Sequence, residues 1–218
     1  MAINDWQIGP QRRAGQRRRA LKLARVASAL ALIGFPMALD GCVQHGAASA
    51  QSSANAGGPG GPFTLVNQDG QPVDQRVLDG KWSVVFFGYT FCPDFCPTTL
   101  TTLGKAMDEL GPKAKDAQVV FITIDPARDT PAAMKTYISS RVFPKNIIGL
   151  TGTPAQVVQV AKEYVVYYQK EGSGPGYTMD HSTALYLMDP QGHFHSVIAD
   201  GLTPDQDAKA ISAAMSGA

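Results

Sequence analysis

Two uninterrupted apolar runs of strand length constrain the fold of this chain more than any other feature. They are WSVVFFGYT at 82–90 and AQVVFITID at 117–125. A strand with one face in water alternates apolar and polar residues, whereas a strand covered on both faces reads as a continuous apolar run. The two runs therefore predict buried strands at the centre of a sheet that is packed on both faces.

Proline, glycine and capping signals predict helices and short strands around these runs. The predicted helices are 97–110, 130–141, 153–164 and 203–215. The predicted short strands are a hairpin within 63–75, a single strand at 147–150, a two-stranded excursion at 165–181 and a hairpin within 182–200. This order predicts an α/β protein with a mixed central β-sheet flanked by helices. It matches the thioredoxin-like fold, here with an N-terminal β-hairpin and an inserted β-hairpin before His181.

The chain is long enough for one domain and an appendage. Its 218 residues exceed the roughly 100–200 residues of a typical domain only slightly. We expect the folded domain to cover 63–218. Residues 43–62 are rich in Ala, Ser and Gly and contain no large aliphatic side chain after Val43, so they predict a flexible tether.

The N-terminus has the pattern of an export signal or a membrane anchor. Residues 1–25 carry seven basic side chains against one acidic side chain, and residues 26–39 carry no charge. The uncharged stretch is shorter than the roughly 20 residues that span a bilayer, but it fits the apolar part of a signal peptide. We therefore predict that residues 1–42 export the domain to the periplasmic side of a bacterial cell envelope, where a lipid or the N-terminal segment tethers it to the inner membrane.

Three fates of this segment stay open. Residues 39–42, Leu-Asp-Gly-Cys, resemble the lipobox of bacterial lipoproteins, which makes Cys42 a candidate for lipidation. Residues 48–50 fit the small-residue pattern of signal peptidase, and residues 20–39 could instead remain as a short anchor. The odd number of cysteines favours lipidation of Cys42, because it leaves Cys92 and Cys96 as a pair with no third free thiol in an oxidising compartment.

The charge of the body excludes one class of partner. After residue 25 the chain carries 12 basic and 17 acidic side chains. Binding to phosphate backbones requires a basic surface. We therefore expect no nucleic acid partner.

The segment FGYTFCPDFCPTTL at 87–100 carries the strongest chemical signal. Cys92 and Cys96 lie between a buried strand and a predicted helix N-terminus, whose partial positive charge lowers the pKa of a thiol. Four helical residues rise about 6 Å, which a disulfide can bridge. The three-residue gap also leaves room for both sulfurs to face one ion. The pair is thus compatible with a structural disulfide, a redox couple or half of a metal site.

His181 is the best candidate for a third ligand. His45 lies in the predicted tether, and His193 and His195 are predicted on an exposed hairpin. His181 lies where the inserted hairpin returns to a buried strand that should neighbour the cysteine strand. Two thiolates and one imidazole suit copper or an incomplete zinc site, and copper is the better match for three ligands.

Further side chains are predicted near the site. Asp125, Arg128 and Asp129 follow a strand end, where a helix cap at Asp129 or Thr130 competes with a role in the site or in docking. Asp180 could accept a hydrogen bond from His181, although neighbouring side chains on an extended segment point apart. The remaining candidates either shield the site, dock a partner or simply pack: Tyr89, Phe91, Phe95 and Met179.

Three segments resemble the Sco/SenC family in order and spacing: FGYTFCPDFCPTTL, IDPARDTPAAMKTY and DHSTALYLMDPQG. The resemblance runs from about Phe63 to the C-terminus. It implies a membrane-tethered thioredoxin fold that binds one copper, as Cu(I) and/or Cu(II), through Cys92, Cys96 and His181. It also implies a role in assembling the dinuclear copper centre of cytochrome c oxidase. Many relatives keep a plain transmembrane helix, from which this N-terminus departs.

Two function classes follow. In the first the protein is a copper chaperone rather than an enzyme. Its partners would be the copper-accepting subunit of cytochrome c oxidase and either a thiol reductant or another copper carrier. In the second, Cys92 and Cys96 act as a redox-active dithiol that reduces a disulfide of an exported partner and is itself left as a disulfide, or they sense copper and redox state. A peroxidase would need an activated cysteine for which the sequence gives no separate sign.

Overall fold

The computed structural model of the protein describes residues 58–217. The predicted export signal, Cys42 and most of the predicted tether lie outside the described residues. Among residues 58–217, no helix combines the length and the apolar character needed to cross a bilayer.

The described chain contains nine strands and four α-helices. The strands are β1 Thr64–Asn67, β2 Pro72–Asp74, β3 Trp82–Gly88, β4 Ala117–Thr123, β5 Ile147–Thr151, β6 Tyr168–Glu171, β7 Thr178–His181, β8 Leu185–Met188 and β9 Phe194–Ile198. The helices are α1 Phe95–Glu109, α2 Pro131–Ile138, α3 Pro154–Glu163 and α4 Pro204–Gly217. Two 3₁₀ segments, Gln75–Leu78 and Gly111–Asp116, connect them.

Seven strands form one mixed sheet in the order β2-β1-β5-β4-β3-β8-β9. Strands β3, β4 and β5 are parallel, and β1, β2, β8 and β9 join antiparallel. Every residue of β3 and β4 is buried, which confirms the prediction from the two apolar runs. The order β4-β3-β8-β9, with α1 after β3 and α4 at the end, is the thioredoxin-like arrangement. It brings β8 beside the cysteine strand, as predicted.

The inserted hairpin forms a small sheet of its own. Strands β6 and β7 pair antiparallel with each other, and Tyr168 lies opposite His181. In the part of the chain that the structure describes, these two strands pair with no strand of the large sheet. His181 is therefore the last residue of a short arm that leads directly into β8.

Helix α1 begins at Phe95, two residues before the predicted start at Pro97. The prediction placed Pro97 at the first helical position. The N–H groups of the whole first turn have no partner within the helix, so proline, which lacks this group, fits at the third position as well. As a result Cys96 lies inside the first turn of the helix and Cys92 lies in the loop before it. Helices α2 and α3 begin as predicted, with Thr130 and Thr153 as N-caps.

The end of the predicted tether packs against the domain. The Gly60 N–H donates to the carbonyl of Glu163 at 2.8 Å. A Cβ on Gly58 would lie 2.6 Å from a ring carbon of Phe194. Glycine has no side chain and so allows this close approach. The compact part of the chain therefore includes residues 58–62 and begins before Phe63.

Asp207 is a buried carboxylate without a charged partner. It lies in the first turns of α4 with 2% of its surface exposed. Its Oδ1 has no hydrogen-bond partner among the described residues. Burial disfavours the charged form and raises the pKa of Asp207 to about 6.

We expect Asp207→Asn to stabilise the fold at pH 7. The pKa of Asp207 is about 6 in the folded state, above the unfolded value of 3.8. The wild-type protein therefore loses stability as pH rises from the unfolded to the folded pKa, and at higher pH it bears the whole cost of the buried charge. The variant should melt higher at pH 7, by about 2–4 °C for each kcal/mol gained, and should match the wild type near pH 4. Thermal denaturation at several pH values measures this.

Asp205→Asn is the matched control, since Asp205 lies in the same helix but is exposed and paired with Lys209. Exposed pairs contribute little, so its melting temperature should follow the wild type. Equal melting of the wild type and Asp207→Asn at pH 7 would contradict the assignment of an uncompensated buried charge.

Candidate metal centre

The two cysteines lie at the carboxyl end of β3. The loop after Gly88 turns back at Cys92, whose N–H donates to the Tyr89 carbonyl at 3.2 Å. Cys96 is fully buried, Cys92 is half-buried, and both are free thiols. The N–H of Cys96, in the first turn of α1, donates to Cys92 Sγ at 3.3 Å. The helix N-terminus therefore points at the sulfur of Cys92, as the sequence predicted.

The two thiols have opposite electrostatic surroundings. A hydrogen bond from the Cys96 thiol, aided by the backbone N–H groups of Cys96 and Asp94, lowers the pKa of Cys92 to about 5. The same pairing with Cys92, together with burial, raises the pKa of Cys96 well above its usual range. Near neutral pH the pair therefore holds one thiolate, at Cys92, and one proton, at Cys96.

Gly88 makes room for the deeper sulfur. A Cβ at this position would lie 2.8 Å from Cys96 Sγ and 2.8 Å from a ring carbon of Phe121. Real Cβ atoms do not approach so closely, so any larger residue would have to displace the sulfur or the aromatic ring. Sequence reasoning missed Gly88, although its position at the end of a buried strand was a signal for close backbone approach.

His181 approaches the deeper cysteine. Its Nε2 lies 3.9 Å from Cys96 Sγ, and its Nδ1 lies 2.8 Å from the carbonyl oxygen of Ser182. A carbonyl only accepts, so Nδ1 carries a proton, and in the neutral ring Nε2 would present its lone pair toward the sulfur. The predicted proximity of His181 to the cysteine pair is what the structure shows.

Asp180 does not orient His181. The carbonyl of Ser182 takes that role, and Asp180 lies on the exposed face of β7. The physical reason is the alternation of side chains along a strand, which sends neighbours to opposite faces. Met179 packs against the core beside the site, and its N–H donates to the Tyr89 hydroxyl at 3.2 Å.

Two aromatic rings enclose the histidine. Tyr89 and Phe95 meet the imidazole of His181 edge-on, with ring centroids 6.1 and 6.3 Å away. Tyr89 is buried, and Phe95 is partly buried against Phe86. These contacts fix the plane of the imidazole and exclude water from its sides.

Arg128 ties the arm that carries His181 to the end of β4. Its Nε donates to Asp125, and its Nη1 donates to the Tyr177 carbonyl at 2.9 Å. The guanidinium lies 3.5 Å from the centroid of the Tyr177 ring and 4.6 Å from that of Phe91. The Tyr177 hydroxyl donates to Asp125 at 2.6 Å, which closes the cluster. Asp125, Arg128 and Tyr177 together form what we term the clasp, and Tyr177 was not foreseen from the sequence.

Asp129 holds the start of the cysteine loop. Its fully buried carboxylate accepts from the Thr90 N–H at 3.0 Å and from the Thr90 and Thr123 hydroxyls at 2.6 Å each. Burial raises its pKa. The alternative of a helix cap at Asp129 is wrong, because the Thr130 hydroxyl accepts from the Ala133 N–H instead. In the sequence, the only trace of this network is a threonine near the end of each buried strand, Thr90 after β3 and Thr123 in β4.

The other two described histidines lie away from the cysteines. His193 and His195 are exposed on the β8–β9 hairpin, as predicted. His193 faces Asp189 at 3.6 Å, and the ring of His195 lies edge-on to Trp82. Within residues 58–217, no three His, Cys, Asp or Glu side chains already surround one point in ligand geometry.

Known proteins resemble both the chain and its fold. A model of the SCO1/SenC family matches residues 51–216. Protein SenC of Rhodobacter capsulatus is 42% identical over 153 residues, which cover 70% of this chain and 68% of that protein. Protein SCO1 homolog 1, mitochondrial, of Arabidopsis thaliana is 42% identical over 144 residues, which cover 65% of this chain and 42% of that protein. The chain thus spans less than half of the Arabidopsis relative.

A solved structure extends this likeness to three dimensions. The structure of Bradyrhizobium japonicum ScoI with copper bound has a TM-score of 0.65 and 42% sequence identity. The match covers 71% of this chain and 98% of that chain.

Cys92 should be the reactive thiol of the reduced chain. We expect its alkylation by iodoacetamide to rise with pH around a midpoint near 5, the pKa to which its surroundings lower it, while Cys96 stays protected. Peptide mass spectrometry separates the label on Cys92 from that on Cys42 and Cys96. In Cys96→Ala the main donor to the thiolate is gone, so the midpoint should move toward that of an ordinary thiol. An unshifted midpoint in that variant would contradict the pairing.

Gly88→Ala should destabilise the domain by about 1–3 kcal/mol, the usual range for overpacking a core. The added methyl group meets Cys96 Sγ and Phe121. Gly176→Ala is the control, because a Cβ there meets nothing within 4 Å. Urea denaturation of the reduced proteins compares them, and equal midpoints for the two variants would refute the close approach at Gly88.

Proposed function

The chain belongs to the SCO1/SenC family, and on that premise we propose that it is a copper chaperone whose cargo is one copper ion held by Cys92, Cys96 and His181. The observation that carries this proposal is the approach of His181 to Cys96, two residues that lie 85 positions apart in sequence. The copper-bound ScoI of Bradyrhizobium japonicum, at 42% identity, supports the choice of metal.

The donor set has the chemistry of a copper site. Thiolates select Cu(I), and imidazole binds both Cu(I) and Cu(II). Bonds of about 2.1 Å to nitrogen and 2.3 Å to sulfur, the lengths typical of zinc sites, would separate two donors at an angle of about 120° by about 3.8 Å. The observed 3.9 Å between His181 Nε2 and Cys96 Sγ is close to this separation.

Binding and release would begin at Cys92. Its sulfur is already a thiolate near neutral pH and is the less buried of the two. The proton on Cys96 leaves when the ion takes its place between the sulfurs, so uptake releases a proton. A partner could then replace Cys92 first and the deeper Cys96 and His181 afterwards.

The second candidate function is thiol-disulfide exchange. It is favoured by the lowered pKa of Cys92 beside a protonated Cys96, the arrangement of an attacking and a resolving thiol. The Cys92 thiolate would attack a disulfide of the partner, and Cys96 would then release the partner as a dithiol. The chain would end as a Cys92–Cys96 disulfide, having given up two electrons. The same oxidation would remove both sulfur ligands, so a redox sensor is built from the same atoms.

Partners and location follow from the family resemblance and the N-terminal sequence. We propose the copper-accepting subunit of cytochrome c oxidase as recipient, and a thiol reductant or another copper carrier as the protein that prepares the site. The domain would act on the periplasmic side of the cell envelope, tethered through lipidated Cys42 or an uncleaved segment.

The full reduced chain should bind one copper per molecule, and His181→Ala should weaken this binding by tenfold or more while the domain stays folded. Loss of one charge-assisted or coordinating partner commonly costs at least about 1.4 kcal/mol, which is a factor of ten. Cu(I) and Cu(II) titrations in competition with a chelator measure the affinity, and circular dichroism monitors the fold. His193→Ala, an exposed histidine of the β8–β9 hairpin, is the control and should bind like the wild type.

If the reduced protein bound no copper specifically but rapidly turned over a disulfide substrate, the copper-chaperone proposal would be overturned and thiol-disulfide exchange would be favoured. Equal loss of affinity in His181→Ala and His193→Ala would show that His181 is not a ligand.

A further inference from the structure

A cavity of about 140 Å³ opens beside the cysteine helix, and the buried Asp207 is one of its lining residues. It lies between α1, the start of β8, the loop after β9 and the first turns of α4. Phe95, Leu185 and Leu202 supply apolar lining, and threonines of α1 also line the cavity. A cavity of about 150 Å³ accepts a molecule of the size of benzene, so this one has room for a planar polar group with its carbon stem.

The charges of this cavity are all of one sign. Asp94, Asp200 and Asp207 line it, and among residues 58–217 no lysine, arginine or histidine does. The hydroxyl of Thr98 faces Asp94 at 3.4 Å, and that of Thr183 donates to Asp200 at 2.8 Å. None of the three carboxylates belongs to an ion pair of the described residues.

Asp207 distinguishes the cavity from a solvated acidic surface. Only 2% of the residue is exposed, and its Oδ1 has no hydrogen-bond partner among residues 58–217. A buried carboxylate without a donor is costly, and native proteins rarely keep one without a function. Its pKa of about 6 still leaves it mostly charged at pH 7. Asp207 therefore adds an unpaired negative charge to a cavity whose lining also includes apolar side chains.

We propose that this cavity receives an arginine side chain of the protein that exchanges copper with the site. A guanidinium offers a planar fork of donors that matches a carboxylate, and its flat face packs on an aromatic ring such as Phe95. The aliphatic stem of arginine would pack on the apolar side chains of the lining. Apolar walls with three carboxylates and no cation are complementary to this side chain in shape and in charge.

The position of the cavity links docking to the metal centre. Phe95 lines the cavity, and its ring also lies 6.3 Å from that of His181. Asp94, Phe95 and Cys96 are consecutive, so an arginine in the cavity brings its protein within one helical turn of the sulfurs. This inference rests on the proposed copper transfer for its partner, whereas the recognition of a guanidinium does not depend on copper.

The first test uses ethylguanidinium as the probe on the full, reduced, ¹⁵N-labelled chain. We expect it to shift backbone amide signals of α1 and of the loop after β9, and to bind at least about tenfold more tightly than its neutral analogue ethylurea, since charge-assisted bonds supply that difference. Asp207→Asn should lose this preference, while Asp205→Asn, exposed on the same helix, should keep it. Equal binding of the two probes, no effect of Asp207→Asn, or tighter binding of ethylammonium than of ethylguanidinium would overturn the assignment of an arginine.

The second test asks whether the occupant belongs to a protein. Copper-loaded wild type, Asp207→Asn and Asp205→Asn are mixed with the copper-accepting domain of the oxidase, and the transfer rate is followed. We expect Asp207→Asn to slow transfer about tenfold and Asp205→Asn to transfer like the wild type. Transfer at the wild-type rate by Asp207→Asn would overturn docking in the cavity and leave it as a site for small cations. A wild-type chain that takes up no copper would contradict the proposed function instead, and the ethylguanidinium titration would still decide the chemistry of the cavity.

Discussion

The buried Asp129 holds together the ends of the three parallel strands on which the site is built. Its carboxylate accepts from Thr90, just after β3, and from Thr123, at the end of β4. Its carbonyl accepts from Thr151, at the end of β5, at 2.6 Å. The three hydrogen bonds to the carboxylate offset the cost of burying it, and the fourth joins the backbone of Asp129 to β5. Without them neither the cysteine loop nor the turn that carries Arg128 would have a fixed position.

The sequence contained most of the fold because its strongest signals are local. The uninterrupted apolar runs predicted β3 and β4, and Thr-Pro pairs predicted the starts of α2 and α3. Helix α1 was harder, because a proline is tolerated anywhere in the first turn and so gives no sharp boundary. The two-residue error mattered, since it moved Cys96 from a loop into the helix, where the backbone N–H of Cys96 itself points at Cys92.

The candidate site was predictable only where chemistry limits the choice of residue. Cys92, Cys96 and His181 could be selected because few residue types bind soft metals. The residues that position them bond across long separations in sequence, such as Thr90 to Asp129 and Asp125 to Tyr177. Asp, Thr and Tyr are common, and no spacing rule connects them. The unpaired Asp207 was equally hidden, because only the packing of α4 against α1 shows that it is buried.

Because His181 lies at the end of the arm formed by β6 and β7, its position is less stable than the fold of the rest of the domain. An isolated two-stranded sheet is marginal in water, and here it is attached through the clasp and the Tyr89–Met179 hydrogen bond rather than through the large sheet. Local openings of such elements occur far more often than global unfolding. The lifetime of any bond that His181 makes is therefore limited by the opening of the arm, while the buried Cys96 stays fixed by the core. On the proposed function, the imidazole would be the donor that an opening of the arm withdraws while the domain stays folded.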